Sequence, residues 1–402
     1  MHVERVSQFL TEQAMGVIHI GYPDCYEGAH ALADLAERIR ADGVKKLLLV
    51  CGKTVMKHGL AAGFVEELSK RSIEVTVYDG AAPNPTISDV ENGVICYKAA
   101  SCDGICAFGG GSSMDCAKII GARITNPKKS VGQLGGMLKV KKALPPLYVV
   151  PTTAGTGSEA TLAAVVVNPA DHHKYSVNDP ALVPLAAALA PELTCSLPPF
   201  LTASCGMDAL THAVEAYTNI YGRKEAYAMA ESAVKDIMGT VRRAYSNGSD
   251  LAARGVMLKA SYKAGAAFTR NCVGYVHAIG HPLSGFYDLP HGEVMAALLP
   301  IILRKYGSAV TEPLSHLADV CGIGTESSGD RHPAEGPVTG RSESVETKAA
   351  AFIGTIESMN REFGIQETFD CIREEDIGTM VEYAFAEVKT YPTPLIFTKN
   401  ED

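Results

Sequence analysis

The chain has no run of basic residues, and its 36 lysines and arginines stand against 45 aspartates and glutamates, a formal charge of −9. That balance excludes nucleic acid and an anionic membrane surface as main partners and leaves a small molecule as the expected ligand. No segment reaches about 18 uninterrupted apolar residues, and the first turns carry Glu4, Arg5 and Glu12 without a signal-like apolar core. Secretion and membrane spanning are therefore not expected. The 11 cysteines are odd in number and form no CxxC pair, which excludes a zinc finger of that type and reads as reduced thiols in a cytoplasmic protein. The first strand-to-helix turn, Val50-Cys51-Gly52-Lys53, lacks GxGxxG, so the ordinary Rossmann fingerprint is missing there. No internal repeat is found.

What is present is a chain of 402 residues, 47% hydrophobic and 20% charged, enough for two or three packed domains. From Ala31 to Pro151, helical patterns alternate with the short apolar runs Lys46–Val50, Ile73–Tyr78, Gly104–Phe108 and Leu147–Val150. This is the pattern of βαβ units and a parallel sheet. Beyond Leu197 the pattern becomes helical throughout, as in Glu225–Tyr245, where Ala226, Met229, Ala230, Ala233, Val234, Ile237, Met238 and Val241 make one stripe ended by Asn247-Gly248. The expected organisation is an α/β half over residues 1–196 and an all-helical half over 197–402, divided near 194–198, with Gly324–Ser344 as an exposed, mobile loop.

Two turns could cradle a phosphate. Gly109-Gly110-Gly111-Ser112 follows the third apolar run and opens a helical pattern, so free amides and bare backbone would face an anion. Pro151-Thr152-Thr153-Ala154-Gly155-Thr156-Gly157-Ser158-Glu159 follows the fourth, and its hydroxyls suit phosphate or ribose oxygens. Either could equally be a tight turn without a ligand. Two such turns at the carboxyl edge of one parallel sheet favour a nucleotide.

In the helical half, Asp208 and His212 stand four residues apart, as do His277 and His281, and His291 follows ten residues later at a helix start. Spacing of four puts two side chains on one helix face. Any one of these histidines could be a hydrogen-bonded core residue. Four of the chain's 12 histidines between positions 212 and 291 favour a divalent metal held by three imidazoles and a carboxylate, with a position left for substrate.

Taken in order, APNPTISDV, GGGSSMDCAK, PTTAGTGSEAT, GMDALTHAVEAY and VHAIGHPLSGFYDLPHGE resemble the iron-containing (group III) alcohol dehydrogenases from about residue 30 to residue 320. The resemblance implies a Rossmann-like dinucleotide-binding domain followed by a helical metal-binding and catalytic domain, with the active site between them. It implies Asp208, His212, His277 and His291 as metal ligands, and His281 as the histidine beside substrate and nicotinamide. Gly109, Gly110, Gly111, Ser112 and Asp115 would surround the pyrophosphate and nicotinamide side. Thr152, Thr153, Thr156 and Ser158 would line the second turn, and Lys174 would stand near the cofactor ribose. Departures from the pattern are Ser113 in place of proline, Gly52 where NAD-using members often carry aspartate, and a carboxyl-terminal stretch that looks short.

The implied reaction is reversible hydride transfer between NAD(P)(H) and a small alcohol, diol or aldehyde, with Fe²⁺ as first and Zn²⁺ as second choice of metal, in a homodimer or larger assembly. Gly52 removes the repulsion that a carboxylate would exert on a 2′-phosphate, and Lys53 adds a cation, so NADP(H) is expected to serve at least as well as NAD(H). The alternatives are a glycerol-dehydrogenase-like enzyme, a dehydroquinate-synthase-like lyase and a nucleotide-binding pseudoenzyme.

Overall fold

The computed structural model describes residues 20–168, 173–324 and 344–398, with positions 5, 6, 8, 9, 13 and 18 ahead of them. Apart from its two ends, the expected loop at 324–344 lies outside the described residues. The strands are β1 (Asp24–Glu27), β2 (Lys46–Cys51), β3 (Glu74–Tyr78), β4 (Gly104–Gly109), β5 (Gly136–Met137), β6 (Leu147–Pro151), β7 (Ala163–Asn168), β8 (His173–Asn178) and β9 (Ala186–Leu189). Six form a parallel sheet in the order β1-β9-β6-β4-β2-β3, and β5, β8 and β7 form a second, small one.

The apolar runs of β2, β4 and β6 lie inside the sheet, buried on both faces as parallel strands covered by helices must be. On one face Ile105 and Ala107 pack with Ile119 and Ile120 of α1 (Gly111–Thr125); on the other, Phe108 and Tyr148 pack with Leu35 and Phe64 from two further helices. Each large apolar side chain so buried is worth roughly 1.5–3 kcal/mol. β1 and β9 escaped the sequence reading. Their sequences, DCYE and AAAL, are too short and too small to stand out, and neighbouring elements bury β9 completely.

The order of the strands positions the site. From β2 the chain goes to β3 on one side and to β4 on the other. Such a reversal opens a crevice beyond the carboxyl ends of the strands, where open α/β sheets hold ligands. Gly52 ends β2 there, and the glycines from Gly109 end β4.

The sheet finishes at Leu189 and the helical half starts at α2 (Pro199–Thr218), so the expected boundary at 194–198 falls in the connection. Proline at the first helical position loses no hydrogen bond, and Pro199 opens α2 that way. α2 runs through the middle of the helical half, burying Ala203, Met207, Leu210, Ala213 and Val214. The predicted stripe is realised in Lys224–Ser246, which buries Ala226, Ala230, Ala233, Val234, Ile237 and Val241. It ends at Ser246 as expected, with Asn247 as the C-cap at φ −133°, and a side chain on Gly248 would run into Arg254. Next come α3 (Leu251–Asn271), α4 (Tyr275–Tyr287), α5 (His291–Tyr306) and, after two further helices, α6 (Glu374–Val388). Among the described residues, no helix is long and apolar enough to cross a membrane.

Candidate metal centre and cofactor cleft

α2, α4 and α5 meet at Asp208. Gly292, the second residue of α5, allows the approach, since a β-carbon there would fall 2.4 Å from the Ser204 carbonyl oxygen of α2. Asp208 Oδ1 then lies 3.8 Å from His277 Nε2 and 3.6 Å from His291 Nε2. One ligand atom from each of these three residues falls within 4.8 Å of the others. His212 stands alongside, with Nδ1 3.9 Å from Asp208 Oδ1 and its ring stacked on His277, but it is not part of that mutual group. So three of the four expected ligands converge, and the fourth borders them.

The donor set fits a divalent cation. Asp208 Oδ1, His212 Nδ1 and His277 Nε2 are buried without a hydrogen-bond partner. Leaving such atoms unsatisfied costs roughly 1–3 kcal/mol each, a cost that ligation would remove. Burial pushes the Asp208 carboxyl up to about 7, against His281 and helped by Glu215. Burial and neighbouring imidazoles hold His212 and His277 well below their ordinary value, so both rings are neutral donors.

Two carboxylates support these rings. Glu215, on the same face of α2 as Asp208 and His212, meets His277 Nδ1 through Oε2 and accepts from the Val276 amide through Oε1 at 2.8 Å. Burial pushes Glu215 up to about 8, opposed by backbone donors from Gly274, Val276 and His277. The sequence reading passed over Glu215, although its place seven residues after Asp208 was a visible signal. Glu387 of α6 lies 2.7 Å from His281 Nδ1. At 106 residues' separation it had no local signal.

On the α/β side the two glycine turns lie against each other, because Gly109 pairs with Pro151 across β4 and β6. A β-carbon on Gly110 would lie 3.3 Å from Thr153 Oγ1, and one on Gly111 would lie 2.7 Å from Thr156 Cγ2. Gly110 caps α1, and Gly109, at φ 153°, turns the chain. Thr153, Thr156 and Ser112 keep partial exposure at this edge, whereas Thr152 is buried.

Asp115 and Ser158 are joined at this edge: Ser158 Oγ donates to Asp115 Oδ1 at 3.0 Å, and Asp115 Oδ2 accepts from the Val165 amide. Lys118, buried in α1, lies beside them with Nζ within 3.1 Å of Ser158 O and Oγ, Thr161 O and Oγ1, and Ala163 O. These residues hold the second turn against α1. Lys118 was legible as the single charge among Cys116, Ala117, Ile119 and Ile120. Lys174 lies on β8 opposite Val167; its side chain lies outside the described residues.

Several contacts join the two halves, among them Tyr262 Oη donating to the Pro23 carbonyl and Arg270 to the Ile20 carbonyl. Gly157 and Gly265 bring the second turn onto α3, and Asn84 Nδ2 donates to Asp288 Oδ1 at 3.3 Å. Beside that contact is a cavity of about 420 Å³ lined by Asn84, Val167, Ser284, Phe286, Tyr287 and Asp288. Ser284, in that lining, stands one turn beyond His281 on α4.

Residues 23–191 match the family described as iron-containing alcohol dehydrogenase, and residues 202–401 match the Fe-containing alcohol dehydrogenase family, C-terminal. The chain is 33% identical over 373 residues to the NAD-dependent methanol dehydrogenase of Bacillus methanolicus, covering 92% of this chain and 94% of that one. It is 38% identical over 293 residues to alcohol dehydrogenase 4 of Schizosaccharomyces pombe, covering 73% and 69%. Among solved structures, the alcohol dehydrogenase from Oenococcus oeni superposes with a TM-score of 0.88 at 32% identity, covering 96% of this chain and 98% of that one.

Proposed function

Because this chain belongs to the iron-containing alcohol dehydrogenase family, we propose that the cluster at Asp208 and the crevice between β2 and β4 are the two halves of one active site. The protein is a metal-dependent alcohol dehydrogenase and aldehyde reductase, and its family binds NAD(H). The observation that carries the site assignment is the convergence of unpartnered buried donors, Asp208 Oδ1 and His277 Nε2, with His291 Nε2 at the helix junction.

Asp208, His212, His277 and His291 would hold the cation. His212 would join by turning its ring about the Cβ–Cγ bond, an orientation settled by partners rather than by packing. Glu215 holds the His277 ring through Nδ1 and leaves Nε2 facing Asp208. When bound, the metal supplies Lewis-acid polarisation of the substrate oxygen and the nicotinamide supplies or accepts hydride. His281, partly exposed and stacked on His291, takes up or returns the hydroxyl proton. The amides and glycines of the 109–112 turn, with Thr153 and Thr156, would receive the pyrophosphate. Substrates are small alcohols, diols or aldehydes.

Three imidazoles and one carboxylate accept Fe²⁺ or Zn²⁺, and Fe²⁺ is the proposed native ion. Metal analysis of protein purified without oxygen, followed by NADH and NADPH oxidation with a panel of short aldehydes, tests the reading. Absence of turnover with either ion despite tight cofactor binding would overturn it. Gly52 supports acceptance of NADP(H) at least as well as NAD(H). Asp79, between the end of β3 and Gly80, puts a carboxylate at the same corner, since Gly80 bridges to Gly52. Asp79→Asn should therefore move the preference further towards NADPH. A kcat/KM for NADH more than about tenfold above that for NADPH in the parent enzyme would show that Gly52 does not govern the choice. A homodimer or larger assembly in a reducing, cytoplasmic setting completes the proposal, supported by the family resemblance and by 11 free thiols; light scattering checks the assembly.

A further inference from the structure

α6 brings one carboxylate to the edge of the site. Glu387 Oε1 lies 2.7 Å from His281 Nδ1, and the hydroxyl of Tyr391 donates to the same oxygen at 2.9 Å. On its other side the His281 ring stacks on His291, with centroids 5.5 Å apart and planes 15° from parallel. The imidazole is thus held between a ring of the metal cluster and a carboxylate that is itself held by a tyrosine. Burial pushes the Glu387 carboxyl up, but His281 and Tyr391 outweigh it and hold the group below its ordinary value. Tyr391 already donates to the same Oε1 that faces His281, which makes this oxygen an acceptor at the contact and sets the hydrogen between the two residues on Nδ1.

We propose that Glu387 is a positioning residue for the reaction: it orients His281 and fixes the Nδ1–H tautomer, which makes Nε2 the nitrogen that exchanges the substrate proton. This rests on the reading of His281 as proton carrier. In alcohol oxidation the O–H bond breaks, Nε2 gains the proton, and the resulting imidazolium faces the Glu387 carboxylate, which stays ionised. Release of the same proton from Nε2 to solvent restores the neutral ring. In aldehyde reduction the proton travels the opposite way, and no further reactant is needed. Oriented imidazoles elsewhere depend on such partners by about 10–100-fold.

The test is a double-mutant cycle with His281→Ala and Glu387→Gln on the metal-loaded enzyme, with Glu387→Asp as the charge-keeping control. Expected are a kcat loss of about 10–100-fold in E387Q with KM for NADH and metal content unchanged, partial recovery in E387D, and no further loss when E387Q is added to H281A. Losses that multiply in the double variant would make Glu387 a structural support of α6 and overturn the proposal. A parental kcat in E387Q beside a slow H281A would overturn it alone, whereas a parental kcat in H281A would remove the proton-carrier reading beneath it. Independently of folding in any variant, ¹⁵N-histidine spectra of the zinc-loaded parent at alkaline pH should show His281 protonated at Nδ1. An Nε2–H tautomer there overturns the proposal.

Discussion

Gly157 and Gly265 meet backbone to backbone: a β-carbon on Gly157 would lie 2.6 Å from the Gly265 α-carbon, and one on Gly265 would lie 2.3 Å from the Gly157 carbonyl oxygen. Gly157 also sits at φ 60°, where an L side chain is strained. The turn that completes the proposed cofactor site is thereby pressed onto a helix of the metal-binding half. Gly265→Ala should force the two apart, costing about 1–3 kcal/mol of stability and raising KM for NADH. Thermal unfolding and steady-state kinetics check this; an unchanged Tm and KM would show that the halves align through other contacts.

The ligand assignment predicts separable losses. His277→Ala, His291→Ala and Asp208→Ala should each lose metal and turnover while NADH still binds, because the phosphate-binding turns lie on the sheet. His281→Ala should retain metal and slow by the 10²–10⁴-fold typical of a positioned acid–base group. Elemental analysis and NADH fluorescence titration distinguish the two patterns. Full metal with near-parental activity in any of the first three would refute the ligand set.

Metal removal should destabilise the parent protein. A cation bound only by the folded chain adds stability that grows with its concentration relative to Kd, about 2.7 kcal/mol at a hundredfold excess. Chelation should lower the parental Tm and leave that of purified His277→Ala unmoved. Equal shifts in both proteins would place the stabilising ion elsewhere.

Lys118→Met should damage the fold before the chemistry. It keeps the apolar stem but removes the ammonium from the oxygens of Ser158, Thr161 and Ala163. Hydrogen bonds to charged groups are worth about 1.5–3 kcal/mol each and buried acceptors left bare cost more. A loss of about 3 kcal/mol or more in urea unfolding is expected, with weakened NADH binding as the second turn loosens. Parental stability would mean that the buried ammonium contributes no net energy.

Asn84 and Asp288 both have positive φ, 51° and 50°, at the mouth of the cleft. Asp288→Gly keeps that conformation accessible and removes the contact. An exposed pair contributes about 1 kcal/mol at most, so Tm should hold. KM for the aldehyde should rise by less than about tenfold if the contact narrows the mouth; an unchanged KM would assign it no part in binding.

The sequence by itself determined the features that neighbouring residues encode. Contiguous apolar runs specify central parallel strands, glycines after them specify close backbone turns, and Asp208–His212 or His277–His281 at spacing four share a helix face in any α-helix. These readings need only local periodicity. Tertiary structure decided the rest. It buried β9, whose alanines carry almost no strand signal, and made β1 its neighbour. It joined Asp115 to Ser158 and to the Val165 amide, and set the Lys118 ammonium on Ser158, Thr161 and Ala163. It joined Glu215 to His277 and Glu387 to His281 across helices. Such pairings depend on how elements of different chain distance pack, and a side chain's partner is chosen by the whole core rather than by the residues beside it.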